Sequence, residues 1–390
     1  MKVLFFSLFT FVLLLGVSRN ASATGGGFTT YFIEEDDTQQ QTGSSSFAIG
    51  YSPFAYDQYN LNAQIDTGGA DLSAAPILGL PGTTSTYPSG SITFPTGANF
   101  SPTQPTGSGY NKYAVGEGWT SLALLNSVYG SGTFTFTLGN ATAMPTLSVN
   151  TVNPTFPVTP TITSGGEVWS NGYLIVNPAA SVTLNFNSSS FTTYTSGLGG
   201  QIDCHLNNSS GTAITATLKA QYIPALGKTD PAISSYTITS GTLTAGQTYA
   251  FQVNYKQLEN DNTTSFTGTG ISGSPVGGSF YASNTYVTLI ADPFSGTSAG
   301  NNLYDSSWFG YYTLASYPLI YHYYLGYEYV FPSGSGVYLY DYGTGHFWYT
   351  QSSYFPFIYD FSLNTFLYYY QNNTPHRHFY DFGTNAVITL

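Results

Sequence analysis

The chain has 390 residues, of which only 7% are charged, and its formal net charge is −12 at pH 7. An ordinary soluble domain has about 25% charged residues, so Ser, Thr, Asn, Gly and Tyr must form most of the hydrophilic surface. The few Lys and Arg residues are scattered along the sequence, whereas phosphate backbones are bound by clustered basic residues. Nucleic acid is therefore excluded as an expected partner.

The first residues have the pattern of a secretory signal peptide over residues 1–23. Lys2 precedes an apolar run at 3–17, and Ala-Ser-Ala at 21–23 forms an A-x-A cleavage site. A bilayer-spanning helix needs about 20 apolar residues, more than this run provides, so we expect cleavage after Ala23. Polar residues interrupt every later apolar run. We therefore predict a secreted or extracytoplasmic chain, at a cell surface or in a periplasm, without a transmembrane segment.

Residues 24–150 are predicted to form a loop-rich N-terminal β region with one short helix. Gly, Pro, Ser and Thr dominate residues 66–109, a composition typical of irregular structure. The acidic segment 34–37 lacks the spaced Asp and Gly of a calcium-binding loop. We therefore expect this segment to form an exposed charged edge.

The helix of this region is predicted over residues 119–129. Leu122, Leu125 and Val128 recur there at helical spacing, and two glycines then end the pattern. Residues 133–138 alternate Phe or Leu with Thr, which predicts a half-buried strand directly after the helix.

Residues 151–295 are predicted to form a fibronectin/Ig-like antiparallel β-sandwich. Prolines at high density in residues 145–160 favour an extended linker, so we place a domain boundary near residue 150. Turn residues separate the alternating runs beyond it, which cover residues 181–186, 201–206, 213–222, 235–239, 249–255 and 279–290. Short alternating strands at such intervals are typical of a sandwich.

A local motif supports this assignment. In segment 243–249, Leu243, a turn at Gly246 and then Tyr249 resemble the fibronectin type III pattern in which a tyrosine opens the next strand. The resemblance implies that the tyrosine hydroxyl bonds back to the backbone at a corner of the sandwich. Domains of this kind are usually spacers or adhesive modules, although the fold alone assigns no function.

Cys204 is the only cysteine, so no intramolecular disulfide can form and stability must come from core burial. The residue lies within the alternating run 201–206. This position predicts a buried structural thiol rather than a reactive one.

Residues 296–390 are predicted to form a tandem array of aromatic β-hairpin repeats. A short unit recurs at intervals of 19, 19 and 21 residues, and its tyrosines are Tyr321, Tyr340, Tyr359 and Tyr380. Five residues after each tyrosine stands a residue that tolerates positive φ, and these turn positions are Gly326, Gly345, Asn364 and Asn385. A degenerate first copy begins at residues 303–305. Each unit is therefore expected to be a β-hairpin.

The aromatic side chains of each unit share one strand face and form a stripe. The stripes can stack on one another as the core of a solenoid or curled sheet. They can also form a binding surface, because so many rings are hard to bury within ninety residues and tyrosine is enriched at recognition surfaces. The candidate ligand-binding residues are Tyr321, Tyr340, Trp348, Tyr359 and Tyr380.

The unit resembles the choline-binding repeats of bacterial cell-wall-binding proteins, which are also aromatic hairpins of about this length. The matching copy is Gly-His-Phe-Trp-Tyr at residues 345–349. This resemblance implies a cell-wall or polysaccharide component as the partner. The whole layout, a fibronectin-like sandwich followed by aromatic-glycine repeats, resembles that of exported bacterial proteins of uncharacterised activity, which implies location only.

The aspartates and histidines of the repeats could in principle support catalysis, but structural roles explain their positions. Asp341, Asp360 and Asp381 recur one residue after the repeat tyrosine, where Asp can bond the backbone of a turn, and a catalytic pair would need two unlike environments. The histidines of segment 376–378 could ligate a metal, but we expect a solvated loop or an interface there. No motif of a hydrolase, metalloprotease or phosphate loop is present. No catalytic residue, metal or cofactor is predicted.

We therefore expect a secreted or surface protein without enzymatic activity that serves attachment, through envelope or polysaccharide binding by the repeats. A first alternative is a structural protein that self-associates into a surface layer or filament through its hairpin edges. A second alternative is an exported polysaccharide-acting enzyme that uses the repeats as its binding module.

Overall fold

The computed structural model describes residues 30–49, 59–66, 90–93, 99–100, 112–119, 121–129, 131–138, 146–149, 153–165, 168–262, 276–334, 336–371 and 377–390. The predicted signal peptide and nearly all of the loop-rich segment 66–109 lie outside these residues. Within them, no helix is long and apolar enough to cross a membrane.

The described N-terminal elements are strands with a single helix. They are β1 (Thr30–Gln41), β2 (Phe47–Ile49), β3 (Tyr59–Asp66), β4 (Gly90–Thr93), β5 (Asn99–Phe100), β6 (Lys112–Trp119), α1 (Leu122–Tyr129), β7 (Gly132–Leu138) and β8 (Thr146–Val149). The predicted helix and the strand after it are confirmed as α1 and β7. The Ser121 hydroxyl accepts the amide of Leu124 at 3.3 Å, which caps the first turn of α1.

The middle part contains strands and three short 3-10 helices. The strands are β9 (Ile162–Ser164), β10 (Val168–Ser170), β11 (Tyr173–Val176), β12 (Val182–Phe186), β13 (Gly200–Asn208), β14 (Leu218–Ile223), β15 (Lys228–Thr229), β16 (Ser235–Ile238), β17 (Thr248–Asn262) and β18 (Val276–Ala291). The 3-10 helices are Ser188–Ser190, Thr192–Thr195 and Pro224–Leu226.

Two sheets of this part pack face to face, as the sandwich prediction requires. One sheet has the order β16-β12-β9, and the other contains the consecutive strands β14-β13-β17-β18. Alternate residues of both sheets, such as Leu184, Ile202 and Phe251, are fully buried in one hydrophobic core between them. Cys204 belongs to that core, which confirms the prediction of a buried thiol.

The corner expected from the fibronectin resemblance is present. The amide of Thr244 donates to the hydroxyl of Tyr249 at 2.8 Å, and Gly246 makes the turn between them with φ of 75°. Leu243 and Tyr249 are both buried against the sandwich core. The tyrosine thus ties the start of β17 to the preceding loop.

The N-terminal strands continue the larger sandwich sheet across the boundary predicted near residue 150. β1 pairs in parallel with β18 over twelve residues, and the sheet continues from β1 through β3 to β6. β11 also pairs with β18 in parallel. The sheet is therefore mixed, in contrast to the antiparallel sandwich that the sequence predicts.

The acidic segment of β1 is buried, so the expectation of an exposed charged edge is wrong. Glu34, Glu35 and Asp36 are at most 5% exposed, because β1 lies inside the sheet between β18 and β3. The Nζ of Lys256 lies 2.6 and 2.7 Å from the two carboxylate oxygens of Glu34. The ion pair on one face thus compensates the burial of one acid.

The C-terminal strands form a single antiparallel meander. They are β19 (Thr297–Gly300), β20 (Leu303–Ser306), β21 (Gly310–Ser316), β22 (Leu319–His322), β23 (Gly326–Ser333), β24 (Gly336–Asp341), β25 (His346–Gln351), β26 (Phe357–Asp360), β27 (Thr365–Tyr369), β28 (His378–Asp381) and β29 (Ala386–Thr389). Each described strand pairs with the next along the chain. The predicted tandem hairpin array is confirmed, including its first copy.

Replacing Tyr249 with Phe is expected to lower the free energy of unfolding by about 1 to 2 kcal/mol, because the amide of Thr244 loses its acceptor. Chemical denaturation followed by circular dichroism measures the change. Tyr236→Phe is the matched control, since its hydroxyl bonds only the side-chain hydroxyl of Thr215 and ties no backbone group. Equal effects of the two variants would contradict the corner's role.

Glu35 should make the stability of the protein depend on pH. Its side chain is fully buried and neither carboxyl oxygen has a hydrogen-bond partner among the described residues. Burial raises the pKa of Glu35 from 4.5 to about 8, so the folded state holds the proton more tightly than the unfolded state. The stability from this group is present below pH 4.5 and is lost as pH rises towards 8.

The Glu35→Gln variant cannot titrate at this position, so its stability relative to the parent should increase as pH rises from 5 to 8, within the window set by the two pKa values. The slope is at most about 1.4 kcal/mol per pH unit for one proton. Urea midpoints across this range measure it. Parallel curves for the two proteins would show that Glu35 does not release a proton on unfolding.

Candidate functional site

The sheet β19–β29 has two faces of different chemistry. On the inner face, Ile320, Leu339, Ile358 and Phe379 of successive tyrosine-bearing strands are buried in a continuous core. On the outer face, the residue that follows each of them is a tyrosine of the repeat, and Tyr321 is 41% exposed. Successive side chains of a strand point to opposite faces of the sheet, so each buried residue is followed by one on the outer face.

The four repeat tyrosines occupy equivalent positions. Three of them make a ring contact of 5.0 or 5.1 Å with the residue opposite on the next strand, and the pairs are Tyr321–Tyr327, Tyr340–Phe347 and Tyr359–Phe366. Tyr380 faces Val387 instead and makes its ring contact of 5.0 Å with Phe382, two residues further along the chain. These distances are typical of edge-to-face or tilted aromatic pairs. The stripe therefore continues across neighbouring strands as one aromatic surface.

Trp348 lies on the inner face, so its prediction as a ligand-binding residue is wrong. The side chain is 0% exposed, and its Nε1 donates to a carboxylate oxygen of Asp360 at 2.9 Å. Trp348 pairs with Leu339 of the preceding strand, which also points inward, while Phe347 and Tyr349 point outward. The sequence motif Phe-Trp-Tyr does not show which of its rings is buried.

The turn positions have the expected backbone conformation. The φ angles are 95° at Gly326, 76° at Gly345, 55° at Asn364 and 54° at Asn385. Each residue directly precedes or opens the second strand of its hairpin. Gly310, at φ of 89°, has the same place in the first hairpin.

Inward-facing polar side chains cap the hairpin turns. Asp360 accepts the amides of Ser362 and Leu363 at 2.8 and 2.9 Å. Asp341 accepts the amide of Thr344 at 2.8 Å, and Asp381 accepts the amide of Gly383 at 2.8 Å. This is the role predicted for the three aspartates, and it engages at least one oxygen of each carboxylate with the backbone of its turn.

Two further residues cap turns in the same way, although the sequence analysis missed them. Nδ1 of His322 accepts the amide of Leu325 at 2.9 Å, and the hydroxyl of Ser306 accepts the amide of Phe309 at 3.2 Å. Burial lowers the pKa of His322 to about 4, which keeps the ring neutral and able to accept. Both residues end the first strand of a hairpin, as the three aspartates do, and this shared position could have predicted their capping role.

Arg377 is a largely buried partner of the second and third hairpins, which matches the interface and not the solvated loop among the two alternatives expected for segment 376–378. Its Nη1 donates to Asp341 at 2.6 Å and to the carbonyl of Leu325 at 2.8 Å, and its guanidinium lies 5.6 Å from the ring centre of Trp348. Only 13% of the side chain is exposed. His376 lies outside the described residues.

A buried carboxyl group completes this polar cluster. Glu328 pairs with Asp341 across two strands, and both side chains are fully buried. Burial and then the charge of Asp341 raise the pKa of Glu328 well above its ordinary value, which favours the neutral, protonated form of this side chain. Burial opposes the charge of Asp341, but the hydrogen bond from Arg377 lowers its pKa overall.

An open groove of about 670 Å³ lies on the outer face at the fourth hairpin. Its lining residues are Ser353, Tyr354, Phe357, Tyr359, Asn364, Thr365, Phe366 and Phe382. Rings supply the walls, while the hydroxyl of Tyr359 donates to the side-chain oxygen of Asn364 at 2.7 Å at one end. The groove thus offers flat apolar faces beside polar groups of known position.

Two comparisons with known proteins give no relative. No protein-family model matches the chain, and no significant match was found among curated protein sequences. Among the described residues, no group of three or more His, Cys, Asp or Glu side chains could hold a metal ion.

The dependence of the turn on positive φ can be tested by replacing Gly345 with Val. The substitution should lower the free energy of unfolding by about 1 to 3 kcal/mol, because a β-branched residue strongly disfavours positive φ. The only atom near the new Cβ is the hydroxyl of Tyr340 at 3.8 Å, so the cost is conformational. Tryptophan fluorescence during urea denaturation measures it.

Asn364→Gly is the matched control for that substitution, since glycine adopts the observed φ of 55° without strain. The variant loses one exposed bond from Tyr359, so its stability should stay within about 0.5 kcal/mol of the parent. If the valine variant is as stable as this control, the turns do not depend on positive φ.

Proposed function

We propose that the outer face of the C-terminal sheet binds a neutral polysaccharide or envelope glycan and thereby attaches this exported protein to a surface. The observation that carries the proposal is a continuous exposed aromatic face with an open groove at its fourth hairpin. The protein acts as a binding module and not as an enzyme. Its location outside the cytoplasm is part of the same proposal.

The chemistry of the face suits a carbohydrate. Pyranose rings present flat C–H surfaces that stack on aromatic rings, and their hydroxyls bond phenolic and amide groups. The outer residues of β22–β28 that the structure describes include no Asp, Glu, Lys or Arg. A neutral chain can thus bind without desolvating a charge, whereas a polyanion would find no cation.

The spacing of the rings suits an extended chain of sugars. Neighbouring strands are about 4.8 Å apart, so successive hairpins repeat at about 10 Å across the sheet. This interval is comparable with the length of a disaccharide unit. A linear polysaccharide lying across the strands would therefore meet an equivalent ring contact at each hairpin, and weak contacts would add up through multivalency.

Self-association is the second candidate function, and the free edges of the array favour it. β19 and β29 each pair with one neighbour only within the described residues. Both edge strands are largely exposed, and Val387 of β29 is 60% exposed. Unpaired edges can add strands from another chain, which would build a filament or layer.

The remaining alternative, a polysaccharide-acting enzyme, gains no support from the repeat aspartates, because they cap turns.

Replacing Phe366 with Ala should weaken polysaccharide binding about tenfold, the loss that corresponds to about 1.4 kcal/mol for one stacked ring. Phe366 lines the groove and is 45% exposed, so the fold should tolerate the change. Affinity electrophoresis of the full chain through gels containing neutral glycans measures binding. Retention by no glycan, or equal retention of parent and variant, would contradict the proposal.

Val387→Ala provides the control, because Val387 is exposed and apolar on the same sheet but has no ring. Its retention should equal that of the parent. Sedimentation velocity of the parent and the two variants measures their assembly state and so distinguishes self-association from glycan binding. If the parent sediments as large assemblies and is retained by no glycan, the array serves assembly rather than glycan binding.

A further inference from the structure

Three side chains with complementary chemistry meet on the buried face of the mixed sheet opposite the sandwich core. They are Glu34 and Asp36 of β1 and Lys256 of β17. Asp36 and Lys256 are both in register with Ala282 of the intervening strand β18, so they share one row across the sheet. Ala282 has a small side chain, and Lys256 lies across it to reach β1. Its Nζ contacts both carboxylate oxygens of Glu34, at 2.6 and 2.7 Å.

The three groups are sealed from water. Glu34, Asp36 and Lys256 are 4%, 5% and 1% exposed. Glu34 contacts both of the others, because its carboxylate bonds the Lys256 ammonium and also shares a side-chain hydrogen bond with Asp36. Asn284, also buried, bonds Asp36 from β18. An amine, a carboxyl group and a second carboxylate that touches both are the parts needed to form an amide bond.

The protonation states suit an acyl transfer between these groups. Burial and then the charge of Glu34 raise the pKa of Asp36 well above its ordinary value, which favours the neutral carboxylic acid. A neutral acid is electrophilic at its carbonyl carbon, which a carboxylate is not. Burial opposes the charge of Lys256, but Glu34 and Asp203 raise its pKa, so the amine begins as an ammonium beside a base.

We propose that Lys256 and Asp36 become joined by an isopeptide bond, with Glu34 as the residue that transfers the proton. Glu34 takes a proton from Nζ, and the free amine attacks the Cγ of Asp36 to form a tetrahedral intermediate. The C–O bond to the Asp36 hydroxyl then breaks as Glu34 gives this proton to the leaving oxygen, and Glu34 takes the second proton that the nitrogen loses, so that Glu34 ends as a neutral acid. One N–C bond forms, one C–O bond breaks, one water leaves, and no oxidant or cofactor is needed.

The bond would fix β1 to β17 across the intervening strand β18. These strands are more than 200 residues apart in sequence, since β1 begins at Thr30 and β17 at Thr248. In a chain whose single cysteine excludes an internal disulfide, this amide would be a covalent link between the N-terminal strands and the sandwich. It would close a long loop of the unfolded chain, which is the situation in which a cross-link stabilises most.

Intact mass spectrometry of the exported, denatured full chain tests the proposal directly. After the N-terminus has been determined by sequencing, the expected mass is that of the sequence minus one water. Trypsin should no longer cleave after Lys256, so residues 229–377 should remain one peptide, linked to the peptide that ends at Lys112. An unchanged mass in folded protein, together with normal cleavage after Lys256, would refute the bond.

Variants identify the reacting atoms. Lys256→Met and Glu34→Gln should each retain the full mass of their sequences. Asp36→Asn should still react but release ammonia, so its linked product should have the same mass as the linked parent, because the same amide results. Asp37→Asn, on the opposite face of β1, is the control, and its expected mass is that of the substituted sequence minus one water.

A succinimide at Asp36 would also remove one water, and the digest distinguishes it. Trypsin would then cleave after Lys256, and mild alkali would restore the missing water, whereas an amide would persist. That outcome would overturn the cross-link and leave the three residues as a buried ion pair. The glycan-binding proposal is independent of this result, because the aromatic face lies on the other sheet.

Discussion

Strand β18 provides the framework on which the three parts of the chain assemble. One edge of its sixteen residues pairs with β17, and the other edge carries β1 and then β11. At its end, Asp292 accepts the amides of Phe294 and Gly296 and the hydroxyl of Tyr312. The aromatic array therefore begins from a fixed position, and its inner core is continuous with Ile290 of β18.

The local features of the array could be predicted from the sequence because they depend on near neighbours. Strand alternation and the positive φ of Gly326, Gly345, Asn364 and Asn385 follow from residue type and spacing. The choice of buried face could not be predicted, because both faces carry apolar residues. The structure resolves it through the turn-capping side chains, which must point inward beside the aliphatic residues, and this register places Trp348 inside.

The N-terminal region was less predictable for the opposite reason. The burial of segment 34–37 depends on Lys256, which is more than 200 positions away in sequence and contacts Glu34 only through the parallel pairing of β1 with β18. Charge patterns report solvent exposure only when the compensating group is also local. The Tyr249 corner was predictable because its donor lies five residues away.

Arg377 has a consequence for how this array can evolve. Solenoids whose units touch only their neighbours can lengthen or shorten by whole repeats. In this array the last hairpin supplies the cation for Asp341 of the third hairpin and a donor for the carbonyl of Leu325, several strands away. Loss of the terminal repeat would leave a buried carboxylate without its counterion, and inserted repeats would displace Arg377 from both partners. These contacts of Arg377 therefore constrain the number of repeats, and duplication of a single unit should be selected against.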